Sequence, residues 1–278
     1  MKFYGQFDPP VDRFIFERYF PEIGIKGVFV ECGAFDGTVE SSCKFFEETA
    51  GWTGFNIEPV PYLFQKLAEN RPISRNLQLA LSDASGQIIF SHAIHPELGP
   101  HFGNGSIGHA DEHMKDLLER NCTFEQITVE TLTWRDFVAR ENIGRVDLFV
   151  LDVEGHELKV LDGMRGSHVM PAIMCVEFGH VGFTELVQIV ESLGYVYDIH
   201  SAANAYFVRS DLVSLFALRA CSRSSKEETT FSSGQMNVAK QEIERLRLRE
   251  AELTNLLDIV RASKWARLGI RLKLLGPF

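Results

Sequence analysis

The chain alternates short, continuous apolar runs with stretches in which apolar residues recur every three or four positions, the pattern of buried parallel strands alternating with helices. Val28-Phe-Val opens the first run, Gly51-Trp-Thr-Gly-Phe-Asn-Ile the second and Asn76-Leu-Gln-Leu-Ala-Leu the third. The most apolar runs come later, in Val146-Asp-Leu-Phe-Val-Leu and Ala172-Ile-Met-Cys-Val. Helical spacing predicts helices over about 38 to 49, 61 to 70, 133 to 141, 156 to 162 and 184 to 193, with a shorter aromatic-rich one ending near Pro21. Gln87-Ile-Ile-Phe-Ser and Ile127-Thr-Val-Glu-Thr-Leu read as further strands, and Tyr195-Val-Tyr-Asp-Ile with Ala205-Tyr-Phe-Val as a closing antiparallel hairpin. Strands that are apolar throughout are covered on both faces. The expectation is therefore an α/β fold of Rossmann-like class, with a mostly parallel central sheet and helices on both sides, complete near residue 218.

Polar residues gather where the apolar runs stop. The first run ends in Glu31-Cys-Gly-Ala-Phe-Asp-Gly, a strand passing through a glycine turn toward a helix expected to begin near Thr38. A dinucleotide fingerprint spaces its glycines G-x-G-x-x-G to seat a pyrophosphate; here the order is E-x-G-x-x-x-G. An acid beside the turn repels pyrophosphate and suits a ligand carrying an ammonium and a sulfonium, which makes S-adenosylmethionine the candidate cofactor. Glu58 ends the second run, 21 positions after Gly37, where a carboxylate can accept both ribose hydroxyls. The candidate cofactor-binding residues are Glu31, Gly33, Ala34, Gly37, Glu58, Pro59, Ser82, Asp83 and Asp152. Asp152 and Glu154 lie past the fourth run, Glu177 past the fifth and His180 three residues on; these four are the candidate catalytic residues. Acids at a ligand-facing strand end cost stability unless something uses or pairs them.

Composition narrows the partners. A formal charge of −10 and a pI near 5.4 argue against a general nucleic-acid binder, which carries a basic face. The five cysteines (Cys32, Cys43, Cys122, Cys175, Cys221) form no C-x-x-C pair and suit a reducing compartment. No apolar run reaches the roughly 18 residues of a membrane span, and the N-terminus lacks a signal-peptide core, so the expected location is the cytoplasm. Residues 92 to 124 are irregular and rich in His, Gly and Pro, as lids and binding loops are. His109 and His113 in that stretch are i, i+4, but solvated loop histidines are commoner than ligands, and no metal site is assigned. Gln6 and Asp8 in the opening loop could reach a ligand cleft.

The expected organisation is an N-terminal helical segment (1–26), a core domain (27–220), a Ser, Thr and Glu-rich linker (221–234) and a tail. Met236, Ala239, Ile243, Leu246, Leu253, Leu257 and Val260 make 235–260 a short coiled-coil candidate and so a route to a homodimer. Residues 261–278 carry Arg261, Lys264, Arg267, Arg271 and Lys273 with no acid beside Trp265 and several leucines, the composition of an interfacial helix able to touch a membrane or a membrane-bound assembly.

Four stretches, Phe29-Val-Glu-Cys-Gly-Ala-Phe-Asp-Gly, Gly51-Trp-Thr-Gly-Phe-Asn-Ile-Glu-Pro, Ala80-Leu-Ser-Asp and above all Asp147-Leu-Phe-Val-Leu-Asp-Val-Glu-Gly-His-Glu-Leu-Lys-Val-Leu, resemble the FkbM family of S-adenosylmethionine-dependent methyltransferases over roughly residues 4 to 210. Ser41-Ser-Cys departs from the Ser-Asn-Thr of that pattern. The tail from Ile259 to Pro277 is similar to those of bacterial glycosyltransferases and methyltransferases of surface-polysaccharide assembly. The resemblance implies a class I methyltransferase and a hydroxyl acceptor on a sugar or glycan, or alternatively on a small natural product. A hydroxyl attacking a sulfonium methyl needs proximity and a base, for which His180 and Asp152 are the candidates, with Glu154 and Glu177 orienting the acceptor. Two rivals remain: a dehydrogenase, which the acid and glycine spacing fits poorly, and a non-catalytic adaptor working through its coiled coil, against which the intact Glu31, Glu58 and Asp152 set speaks.

Overall fold

In the computed structural model, residues 1–100, 105–107 and 111–216 are described, within a compact unit of Met1–Leu218. The linker, the coiled-coil segment and the basic tail, with His101 and His109, lie outside them. The chain runs α1 (Val11–Tyr19), β1 (Val28–Cys32), α2 (Lys44–Glu48), β2 (Thr53–Ile57), α3 (Pro61–Asn70), β3 (Arg75–Leu77), β4 (Ala80–Leu81) and β5 (Gly86–Ile94). It continues through β6 (Gly105–Ser106), α4 (Asp111–Glu119), β7 (Thr123–Leu132), α5 (Trp134–Arg140), β8 (Leu148–Leu151) and α6 (Glu157–Asp162). It closes with β9 (Ile173–Glu177), α7 (Phe183–Ser192), β10 (Tyr195–Ser201) and β11 (Asn204–Arg209).

The main sheet has the order β10-β11-β9-β8-β1-β2-β3, parallel except for β11, which is antiparallel to both β9 and β10. This is the expected Rossmann-like arrangement. Successive strands build outward in opposite directions from β1 and β8, so the order reverses between them, and a ligand crevice is expected at their carboxyl ends. Alternation along the central strands feeds two cores. Val30, Ile57, Phe149, Leu151, Met174 and Val176 face Trp134, Phe137, Val160, Leu161 and Leu186 of α5, α6 and α7. Phe29, Leu148, Val150, Ile173 and Cys175 face Ile15, Phe16, Phe45 and Phe46 of α1 and α2. Thr133 caps α5, its hydroxyl accepting from Asp136 N at 3.1 Å.

Three elements differ from expectation, one of them α4, a helix inside the stretch expected to be irregular. The helix expected from about residue 38 starts only at Lys44. Glu40 takes a left-handed φ of 56°, and the amides of Ser42 and Cys43 point to the Glu31 carboxylate instead of into a helix ladder. The third run divides: Arg75–Leu77 stays on the edge of the main sheet, while Ala80 and Leu81 pair with β7 in a second sheet ordered β4-β7-β5-β6. β5 and β7 form a long antiparallel ribbon, Gly86 opposite Thr131 through Ile94 opposite Thr123, and the irregular stretch with α4 is carried at its far end. Among the described residues no helix is long and apolar enough to cross a membrane. Cys32, Cys43, Cys122 and Cys175 are buried free thiols.

Candidate active site

The carboxyl ends of β1, β2, β8 and β9 open into a cavity of about 570 Å³, at the reversal between β1 and β8. The glycine turn after β1 forms one wall. Gly33 has a φ of +87°, and a Cβ there would overlap the carbonyl oxygen of Asp152. The amides of Gly33 and Ala34 both donate to Ile57 O at 3.1 Å. The glycine is thus demanded by the close approach of two strand ends, and the ligand is not what forbids a side chain. Gly37, with φ +76°, likewise makes room for Arg71 Cγ and Leu67 Cδ1, each 2.7 Å from where its Cβ would stand, and it does not line the cavity.

Glu31 lines the cavity but is 3% exposed and fully engaged. Its carboxylate accepts from Ser42 N at 2.7 Å, Cys43 N at 3.1 Å and Ser41 Oγ at 3.1 Å, and Arg71 Nη1 lies 3.2 Å away. Burial raises its pKa, and Arg71, Ser41 and Ser42 oppose that rise. Its first task is to hold the loop 41–43. Arg71, fully buried, also binds Glu47 Oε2 through Nε at 2.8 Å.

Glu58 has capacity to spare. It is buried at the cavity wall beside Pro59, its two oxygens accepting one amide each, from Phe35 N at 3.0 Å and Val60 N at 2.9 Å. Burial pushes its pKa up to about 8 against those two bonds. Each oxygen keeps a lone pair for a ligand hydroxyl. Phe35, Val60, Leu63, Phe90 and Ile107 make the adjoining part of the cavity apolar. Phe35 and Phe90, from the turn and the accessory ribbon, carried no sequence signal as ligand contacts.

Ser82 and Asp83 do not line the cavity. Ser82 Oγ contacts His156 Nε2 at 2.9 Å, and Asp83 Oδ2 binds Lys159 Nζ at 2.8 Å, which lowers the Asp83 pKa. Both are drawn toward α6. In the N-terminal loop Gln6 lines the cavity and Asp8 does not.

Past β8 and β9 the lining is anionic. Asp152 is exposed by surface area but lines the cavity, and desolvation there, followed by the charges of Glu154 and Glu177, raises its pKa above the ordinary carboxylate value. Glu177 Oε1 accepts from Gly179 N at 2.8 Å; Oε2 is buried without a hydrogen-bond partner, and burial pushes the pKa up to about 7. Glu154, at a φ of +55°, directs Oε2 to His180 Nε2 at 3.0 Å, and this bond raises the His180 pKa. Its turn is braced by buried Glu157, which accepts from Val153 N and Gly155 N, both at 3.0 Å. Finally, α4 delivers His113, whose ring stacks on His180 with centroids 3.9 Å apart and planes 9° apart, and whose Nε2 is 4.0 Å from Glu154 Oε2. The cavity lining holds six carboxylates, Glu31, Glu40, Glu58, Asp152, Glu154 and Glu177, and no Lys or Arg among the described residues.

The family model for the methyltransferase FkbM domain matches residues 31–197. A hexuronic acid methyltransferase, AglP, of Haloferax volcanii is 29% identical over 132 residues, covering 46% of this chain and 47% of that protein, so the match spans about half the relative's length. Among solved structures, a TehB-like SAM-dependent methyltransferase from Corynebacterium glutamicum is 10% identical, with 72% of this chain and 86% of that one covered, at a TM-score of 0.37. A ribosomal protein L11 methylase from Lactobacillus delbrueckii subsp. bulgaricus is 8% identical, with 72% and 76% covered, at a TM-score of 0.38.

Proposed function

The chain belongs to the methyltransferase FkbM domain family, and from that premise we propose that it is an S-adenosylmethionine-dependent O-methyltransferase whose acceptor is a hydroxyl of a sugar or glycan. The observation that carries the reading is one cavity whose lining combines apolar residues around Glu58, past β2, with the carboxyl groups of Asp152, Glu154 and Glu177, past β8 and β9 on the other side of β1. S-adenosylmethionine supplies a methyl group already activated on a positively charged sulfur. Phe35, Val60, Leu63 and Phe90 would enclose its base and Glu58 would accept from its ribose hydroxyls, while the carboxyl groups past β8 and β9 suit its ammonium and sulfonium. The named activity of the Haloferax volcanii relative supports a sugar as the acceptor class.

What remains for the protein is to bring the hydroxyl into line and to take its proton. His180 donates through Nε2 to Glu154, which leaves Nδ1 of the neutral ring able to accept; Asp152, with its raised pKa, is the alternative base. The small-molecule reading of the acceptor uses the same residues.

Isothermal calorimetry with S-adenosylmethionine and S-adenosylhomocysteine tests the donor site: binding of both to the wild type and loss in Glu58→Ala are expected. Measured above pH 8, where the Glu58 carboxyl is ionised, the deletion should cost about 1.5–3 kcal/mol, the worth of hydrogen bonds to a charged group. Turnover of labelled donor over a panel of sugars tests the reaction: His180→Ala should lower kcat by about 10²- to 10⁴-fold with donor affinity kept, whereas Asp152→Asn should lower kcat and weaken donor binding as well. Donor binding without turnover on any acceptor would favour the adaptor reading.

A further inference from the structure

We propose that His113, Glu154 and His180 bind a divalent transition-metal ion beside the cavity, and that this ion ties α4 to the carboxyl edge of the main sheet. One ligand atom from each residue lies within 4.8 Å of the other two. The closest pair, His180 Nε2 and Glu154 Oε2, stands at 3.0 Å, and His113 Nε2 is 4.0 Å from the same oxygen. Metal–nitrogen and metal–oxygen bonds of about 2.0–2.2 Å put neighbouring ligand atoms roughly 3 to 4 Å apart, so the spacing needs little change. What must change is one ring. The imidazoles lie nearly parallel and stacked, and an ion has to lie in the plane of each ring it binds, so one ring must turn about its Cβ–Cγ bond.

Two features of the surroundings favour a cation. Asp152 and Glu177 join Glu154 at this end, and no Lys or Arg among the described lining residues offsets them. The buried Oε2 of Glu177 has no hydrogen-bond partner, and a buried carboxylate oxygen of that kind is stabilised by nearby positive charge. The ligand set selects the ion. Two imidazoles and one carboxylate suit Zn²⁺, Mn²⁺, Fe²⁺ or Co²⁺ better than Mg²⁺ or Ca²⁺, which take oxygen ligands. Three protein ligands leave open positions, the pattern of a site that also binds substrate.

The consequence for the acceptor rests on the methyl-transfer reading, whereas ion binding does not. Open positions on an ion here would take two neighbouring sugar oxygens, which explains how an oxygen-rich acceptor tolerates an end lined by carboxylates. Nε2 of His180 is then a ligand, and proton acceptance from the hydroxyl falls to Asp152.

The test uses untagged full-length protein stripped with chelator and titrated with Co²⁺ and Zn²⁺. One ion per chain is expected, with visible Co²⁺ absorption of a nitrogen and oxygen site of low coordination number. His180→Ala and Glu154→Gln should each weaken Co²⁺ binding by more than about 100-fold, since even outer partners of ligands are worth 10- to 100-fold. His113→Ala should do the same; if it unfolds α4, His113→Gln serves, and circular dichroism tells the two apart. S-adenosylhomocysteine binding, measured on the same proteins, reports the donor site separately. No stoichiometric ion, or equal binding by wild type and Glu154→Gln, would overturn the proposal whatever the donor does.

Discussion

Arg71 Nη1 lies 3.2 Å from Glu31 Oε2, with both side chains withdrawn from solvent. The acid of the glycine turn is therefore neutralised from beneath, by a residue that follows α3 and also holds Glu47. Removing the guanidinium leaves two buried carboxylates without a counter-charge. Arg71→Met should destabilise the protein by about 3–5 kcal/mol in urea denaturation, the usual cost of breaking a buried ion pair from one side. Arg71→Lys should recover only part of this, because one ammonium cannot meet two carboxylates in the fork geometry of a guanidinium. A loss under 1 kcal/mol in Arg71→Met would mean that Glu31 is held by its loop amides alone.

The two strand ends at the crevice make a second prediction. Gly33 and Gly166 both have left-handed φ values, +87° and +73°, but a Cβ on Gly166 meets nothing within 4 Å whereas one on Gly33 overlaps Asp152 O. Gly166→Ala should cost only the left-handed backbone term, about 1–2 kcal/mol. Gly33→Ala should cost more than that and displace Asp152, so thermal denaturation should separate the two variants. Equal losses would show that the turns can part without penalty.

The main sheet was legible because its central strands, β1, β8 and β9, are apolar almost throughout, and because the last two, Tyr195–Ser201 and Asn204–Arg209, are too closely spaced for a parallel crossover. Asp152, Glu154, Glu177 and His180 could be grouped from sequence since parallel strands place all their carboxyl ends on one edge. Other parts depend on contacts between distant segments. Arg71 looks like any basic residue near a helix end, and nothing local ties it to Glu31. α2 starts late because Glu31 takes the amides that would have opened it. Ser82 and Asp83 follow a strand that leaves the main sheet after Leu77, which carries them to α6. His113 reaches His180 only because the β5–β7 ribbon delivers α4 there.

His156 gives a pH dependence of stability. Burial lowers its pKa to about 4, below the ordinary 6.5. Between those values the unfolded chain binds a proton that the folded one does not, so the contribution is fully present above pH 6.5 and is lost as pH falls toward 4. From pH 7.5 to 5 it amounts to about 2 kcal/mol. Groups with raised pKa values, such as Glu58, change in the opposite sense, so the comparison is between proteins. Wild type should lose about 2 kcal/mol more than His156→Gln over that interval in urea titrations, and parallel pH profiles would refute the assignment.

Glu58 couples donor binding to the proton. With a pKa pushed up to about 8 by burial, it is largely protonated at pH 7 before a ligand arrives. Both oxygens already accept an amide, so the lone pairs left for two ribose hydroxyls are fully offered only when the carboxyl is ionised. Binding through this residue must then release a proton at neutral pH. Donor affinity should rise as pH increases from 6.5 toward 8 and level off above, and the calorimetric enthalpy at pH 7 should vary with the ionisation enthalpy of the buffer. Glu58→Gln, which cannot ionise, should bind more weakly at pH 8.5 and lose both dependences. Raised pKa values also belong to Asp152 and Glu177, but those groups follow β8 and β9, on the other side of β1 from Glu58, so a pH dependence that survives in Glu58→Gln would move the proton to them and away from the ribose site.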